Sequence, residues 1–190
     1  DDHCDCGCCD DDDDDDESIA AAANREGNGQ ATVFIVEKLG CAHCAGKMEE
    51  KIGKVILDTT CYPGKDLYSD GAIEDEMLAI SRDFAPEEFN RVISERKSWP
   101  ILYHFSHIRE NILSWIPFTG EEKVLEIGSG CGAVTGALCE RAKEVTCIEL
   151  SMKRSKINAY RHQDQDNLKI LVGNFQEIEK NLTEKYDYIT

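Results

Sequence analysis

Three glycines alternate at Gly128, Gly130 and Gly132 directly after the apolar run 124–127, and an acid, Glu149, closes a second apolar run at 145–149. Alternate glycines let a chain turn sharply at the carboxyl end of a strand and bring peptide N–H groups against a ligand where a helix begins. Glu149 follows Gly128 by 21 residues, the placement of an acid that accepts hydrogen bonds from ribose hydroxyls. Strand, glycine turn, helix, strand and acid together make a nucleotide-binding βαβ unit. Because Gly128, Gly130 and Ala133 also satisfy G-x-G-x-x-A, a nicotinamide or flavin dinucleotide competes as the ligand.

Soft-metal binding is the second chemistry the residues suggest. His3, Cys4, Cys6, Cys8 and Cys9 crowd an acidic tail, and Cys41 and Cys44 form a C-x-x-C. Thiolates suit zinc, cadmium or copper(I). The ten cysteines fall in separate settings rather than in an evenly spaced disulfide framework, which points to a reducing, cytoplasmic setting. Cys131, inside the glycine loop, reads as a small filler rather than a nucleophile.

The elements that must position these groups come in two styles. From residue 123 onward, strands at 124–127, 145–149, 168–172 and 186–190 alternate with helices at 131–143, 153–161 and 176–182, which implies a parallel sheet with helices on its faces. The sequence stops inside the fourth strand, so a C-terminally truncated sheet is expected. Upstream, helices are expected at 73–81, 86–97 and 100–115, the last with an apolar stripe of Ile101, Leu102, Phe105, Ile108, Ile112 and Leu113. Residues 57–71, rich in Pro, Gly, Asp and Tyr, read as a loop or linker. A strand is expected from residue 31, then a helix at 42–55 with Met48, Ile52 and Val55 on one face. Residues 1–30 have almost nothing to bury and are expected to be disordered.

The net charge is −17, with eleven acids and no Lys or Arg in residues 1–17, so the remaining chain lies near −6. That balance argues against nucleic-acid binding. No apolar run approaches the ~20 residues that cross a bilayer.

At this point the residues resemble a known family. The stretch from Glu126 to Gly132, with an acid two positions before the first glycine, is similar to motif I of class I S-adenosylmethionine-dependent methyltransferases, and the resemblance extends over roughly residues 61–190. It implies a Rossmann-like parallel sheet in an α/β fold, S-adenosyl-L-methionine as cofactor and methyl transfer as the reaction. By position it assigns Glu126, Gly128, Ser129, Gly130 and Gly132 to the cofactor loop, Glu149 to the ribose, and Asn174 with Phe175 to the adenine. The family often has Asp where this chain has Asn174. The helices containing residues 98–104 and 107–111 resemble those of some bacterial methyltransferases of glycan assembly, and this would bring Tyr103, His107 and Arg109 to the cofactor's amino-acid end. The implied acceptor is a small molecule or glycan, with no nucleic acid as partner. Acceptor-side residues of the family follow the fourth strand, so no catalytic base is assigned.

Residues 38–52 resemble the metal-binding loop of heavy-metal-associated domains, found in metal-transporting P-type ATPases and copper chaperones, with Cys41 and Cys44 as the implied ligands. The expected organisation is a tail at 1–30, a partial heavy-metal-associated unit at 31–55, a linker and helical region at 56–120, and an incomplete cofactor-binding core at 121–190. The alternative function is a soft-metal-binding module in which the α/β part is inactive.

Overall fold

The computed structural model describes residues 49–190. Its centre is a six-stranded sheet in the order β1-β2-β5-β4-β3-β6. Strands β3 (Lys123–Ile127), β4 (Glu144–Glu149), β5 (Leu168–Val172) and β6 (Tyr188–Ile189) are parallel, as the alternation of apolar runs and helices predicts. From β3 the sheet grows one way through β4 and β5, and then β6 returns to the other side of β3. Strand order therefore reverses at β3, and in open α/β sheets the crevice at such a switch point is where ligands bind. The glycine loop leaves β3 at that crevice.

The remaining strands correct the sequence reading. Residues 49–55 are not the end of a helix. β1 (Glu49–Ile52) and β2 (Val55–Asp58) form an antiparallel hairpin, and β2 then pairs in parallel with β5. Ile52 and Val55 are both buried, but as cross-strand partners across a two-residue turn rather than on one helical face. Gly53 supplies the positive φ of that turn, and a Cβ there would meet the Gln163 carbonyl oxygen at 2.3 Å. The boundary expected between residues 55 and 56 thus falls inside a hairpin that is part of the main sheet. Cys41 and Cys44 lie outside the described residues. Among those described, no group of three or more His, Cys, Asp or Glu could hold a metal ion, and no helix is long and apolar enough to cross a membrane.

One face of the sheet carries Val124, Val145, Cys147, Ile170 and Leu57, which pack with the helices that follow the strands, α4 (Thr135–Cys139) and α5 (Met152–Arg161). A second layer, α1 (Ala72–Asp83), α2 (Phe89–Arg96) and α3 (Trp99–Phe105), closes over α5 through Met77, Ile80, Phe89, Val92, Ile101 and Ile157. On the opposite face Leu125 and Ile148 meet Ile178 of the short helix α6 (Phe175–Ile178).

The single helix expected over 100–115 is broken. α3 stops at Phe105, Ser106 takes an extended conformation, and its hydroxyl accepts a hydrogen bond from the Ile108 amide as a 3-10 helix (His107–Leu113) begins. Half of the predicted stripe faces outward. Ile101, Phe105 and Leu113 are buried, whereas Leu102, Ile108 and Ile112 are exposed.

Candidate functional site

The glycine loop adopts the geometry its sequence calls for, since Gly128, Gly130 and Gly132 all have φ between 55 and 75°. The three glycines nevertheless serve different ends. A Cβ on Gly128 would meet nothing within 4 Å, and one on Gly130 only the Gly128 oxygen at 4.0 Å, so these two line open space. A Cβ on Gly132 would stand 2.2 Å from Asn158 Oδ1 and 3.1 Å from His162 Nε2. The third glycine therefore exists for packing against α5.

The expectation that loop N–H groups await a ligand needs correction. Gly128 N donates to the Ile148 carbonyl at 2.8 Å, Ser129 N to the same oxygen at 3.3 Å, and Gly132 N to the Ser129 carbonyl at 3.0 Å. Gly130 N donates to Glu149 Oε2 at 2.8 Å, while Glu149 Oε1 accepts from Ser151 N at 2.9 Å. Glu149 thereby ties the loop to the start of α5. A pyrophosphate needs free N–H donors and a positive potential, but these donors are occupied and a carboxylate sits among them. A cationic sulfonium cofactor suits this site better than a dinucleotide does. Each Glu149 oxygen accepts one backbone donor and retains a further lone pair for a hydroxyl. The buried Ser129 Oγ has no hydrogen-bond partner among the described residues, leaving a polar atom for a ligand beside the open glycines.

Glu126 lies in the core below the loop. It is buried, and its Oε2 accepts from Thr135 Oγ1 at 2.7 Å and from Cys147 Sγ at 3.2 Å; burial raises its pKa above the usual carboxyl range. It anchors α4 to β3 rather than facing the open space. Cys131 is likewise buried, and its thiol is pushed up to about 12 by burial, so it holds its proton. Asn174 caps α6 by accepting from Gln176 N at 2.9 Å, and Phe175 packs on the Ile178 side of the sheet. Tyr103 is 43% exposed, with Arg109 stacked on its ring, and His107 is also exposed.

Several supporting groups escaped the sequence reading because their partners are distant in the chain. Asp66, in the segment read as a linker, accepts from Met152 N at 2.6 Å, Lys153 N at 3.2 Å and Ser151 Oγ at 3.1 Å, and so caps α5 just beyond Glu149. Arg154 donates from Nε to the fully buried Glu74 and from Nη2 to Asp70, with Tyr68 stacked on its guanidinium. Burial opposes ionisation of Glu74, but the Ser69 hydroxyl and Arg154 outweigh it and hold its pKa below the usual range. Arg161 Nη1 donates to the carbonyls of His104 and Cys131, at 2.7 and 2.8 Å, fixing α3 to the glycine loop.

His162 gives a test of this scaffold. Its Nε2 stands 3.0 Å from the Gly132 carbonyl, and burial, reinforced by Arg161, lowers its pKa from 6.5 to about 3. The folded imidazole stays neutral where the unfolded one takes up a proton, so acid favours unfolding. Its contribution is complete above pH 6.5 and is lost as pH falls from 6.5 toward 3, by up to about 1.4 kcal/mol per pH unit. Denaturation midpoints measured across that range should fall more steeply for the wild type than for His162→Gln.

A reversed strand order at β3, alternate glycines on its end and an acid closing β4 give the described residues a Rossmann-like α/β core similar to that of class I S-adenosylmethionine-dependent methyltransferases. Residues 105–186 match the family model of ribosomal RNA adenine dimethylase. Among curated proteins, ribosomal RNA small subunit methyltransferase A of Borreliella burgdorferi (strain ZS7) is 32% identical over 100 residues, covering 52% of this chain and 36% of that one. Protein-L-isoaspartate O-methyltransferase of Dictyoglomus turgidum is 38% identical over 80 residues, covering 40% and 36%. A dimethyladenosine transferase structure from Plasmodium falciparum aligns with a TM-score of 0.35 and 25% identity over 43% of this chain and 28% of that one. The chain spans about a third of the length of the curated relatives it matches.

These relatives correct one expectation. The exclusion of nucleic acid, and with it the small-molecule or glycan acceptor, conflicts with a matched family and a relative named for ribosomal RNA. The charge argument failed because eleven of the acids lie in residues 1–17, so the total says little about the surface of the core.

Proposed function

We propose that this chain is the cofactor-binding portion of a methyltransferase whose acceptor is an adenine of RNA. The observation that carries the reading is where the ribosomal RNA adenine dimethylase match falls: residues 105–186 include the glycine loop, Glu149 and the parallel strands β3, β4 and β5. The isoaspartate methyltransferase relative shares the core with a different acceptor, so the core alone sets only the donor.

S-adenosylmethionine, when bound, supplies a methyl group activated on a sulfonium. The chain's part is to hold it. Gly128 and Gly130 leave room for close approach to the backbone, Ser129 offers its free hydroxyl, and Glu149 accepts from the ribose. The Glu149 carboxylate, next to the loop, also favours a cation there. An adenine takes two added methyls on one neutral nitrogen only at its exocyclic amine, and that nitrogen loses a proton for each methyl gained. Much of the acceleration then comes from alignment of amine and methyl.

Incubation of the chain with methyl-labelled cofactor and RNA containing unpaired adenines should place label on adenine, identified by nucleoside mass spectrometry. Label on an isoaspartyl peptide instead of RNA would replace the acceptor assignment and leave the donor assignment intact.

A further inference from the structure

An aromatic and basic face spans the break at Ser106. Trp99 is 71% exposed and Tyr103 43% exposed, with ring centroids 6.1 Å apart. The Arg109 guanidinium lies 4.1 Å from the centre of the Tyr103 ring, and His104 meets that ring edge-on at 5.0 Å. Residues 96–109 contain Arg96, Lys97 and Arg109 and no Asp or Glu, although the chain as a whole carries −17. Arg96 pairs with Glu76 at 3.5 Å, whereas among the described residues Lys97 and Arg109 have no carboxylate within ion-pair distance. Exposed indole and phenol rings interleaved with unpaired cations suit one class of partner: unpaired bases stack on the rings while the cations meet the phosphates. Arg161 gives this face its relevance, because the guanidinium that holds the His104 carbonyl also holds the Cys131 carbonyl of the glycine loop.

We infer that Trp99, Tyr103 and Arg109 form a stacking platform for unpaired bases of the RNA acceptor, set at a fixed position relative to the cofactor loop. This rests on the RNA reading above and adds to it a surface and a preference for single strands. Duplex RNA, with its bases already stacked, engages the platform poorly.

The test uses the full chain, whose only two tryptophans are Trp99 and Trp115, titrated with single-stranded oligoadenylate while indole fluorescence is followed. Quenching should survive Trp115→Phe and disappear in Trp99→Leu, with affinity weakened about tenfold in Trp99→Leu and in Arg109→Ala. A duplex of the same length should compete weakly, and S-adenosylhomocysteine affinity should be unchanged in Trp99→Leu. The platform is overturned if the wild type does not bind oligoadenylate, if Trp99→Leu binds it as the wild type does, or if Trp99→Leu only converts a dimer to a monomer. Methyl transfer to RNA that survives unchanged in Trp99→Leu removes the platform and keeps the acceptor. Trp99-dependent quenching without transfer to RNA keeps the platform and removes the acceptor.

Discussion

Substitution of Gly132 by Ala is expected to destabilise the fold by about 2–5 kcal/mol, from overpacking and a left-handed backbone together. The new Cβ would fall 2.2 Å from Asn158 Oδ1 and 2.6 Å from its Cγ, with φ at +75°. Asn158 is fully buried and donates to Thr135 Oγ1 at 3.2 Å, so it cannot yield without disturbing the Thr135–Glu126 contact beneath the loop. Gly128→Ala meets open space and should cost only the backbone term, about 1–2 kcal/mol, while its methyl occupies the cofactor's approach. Chemical denaturation and calorimetry on the two variants should therefore separate: stability falls most in Gly132→Ala, and cofactor affinity falls more than stability in Gly128→Ala. Equal stability losses would mean that Gly128 and Gly132 serve the turn alone.

That difference between glycines of one motif marks how far the sequence could be read. The run from strand to glycine turn to acid is local, its elements are separated by tight connections, and its periodicity is unambiguous. The parallel strands accordingly fall where the apolar runs place them, within a residue or two at β3, β4 and β5. β6 is the shorter exception, with only Tyr188 and Ile189 paired. The hairpin was hidden because Ile52 and Val55 stand three apart, a spacing shared by a helical face and by the two sides of a two-residue turn. Gly53 was the available signal, since glycine costs about 1 kcal/mol inside a helix and favours a hairpin turn. The 100–115 stripe misled for a related reason. Apolar residues at helical spacing also fit two short helices with an extended Ser106 between them, and then only part of the stripe is buried.

Other features were not legible from local pattern at all. Asp66 reaches Met152 across 86 residues, and Arg161 reaches the His104 carbonyl across 57. Such contacts follow from tertiary packing, which periodicity does not encode. The exclusion of nucleic acid fails for a different physical reason, because net charge is a sum over the chain whereas recognition depends on its local distribution.

The second large effect concerns Glu149. Its two oxygens accept from Gly130 N and Ser151 N, so it orders the loop and α5 while keeping lone pairs for a ligand hydroxyl. Glu149→Ala removes the proposed ribose acceptor and leaves both backbone donors without their partner, and charge-assisted hydrogen bonds of this kind contribute about 1.5–3 kcal/mol. Cofactor affinity should fall roughly 10- to 150-fold on that basis. Glu149→Gln should not restore it, because the amide presents an N–H to one of the two backbone donors. Calorimetric titration of the chain and of Glu149→Ala with S-adenosylhomocysteine is the most direct measurement. The geometry predicts one-to-one binding by the wild type with no comparable affinity for NAD, and a loss of that size in the variant. Preferential binding of NAD, or a Glu149→Ala variant that binds S-adenosylhomocysteine as tightly as the wild type, would contradict it.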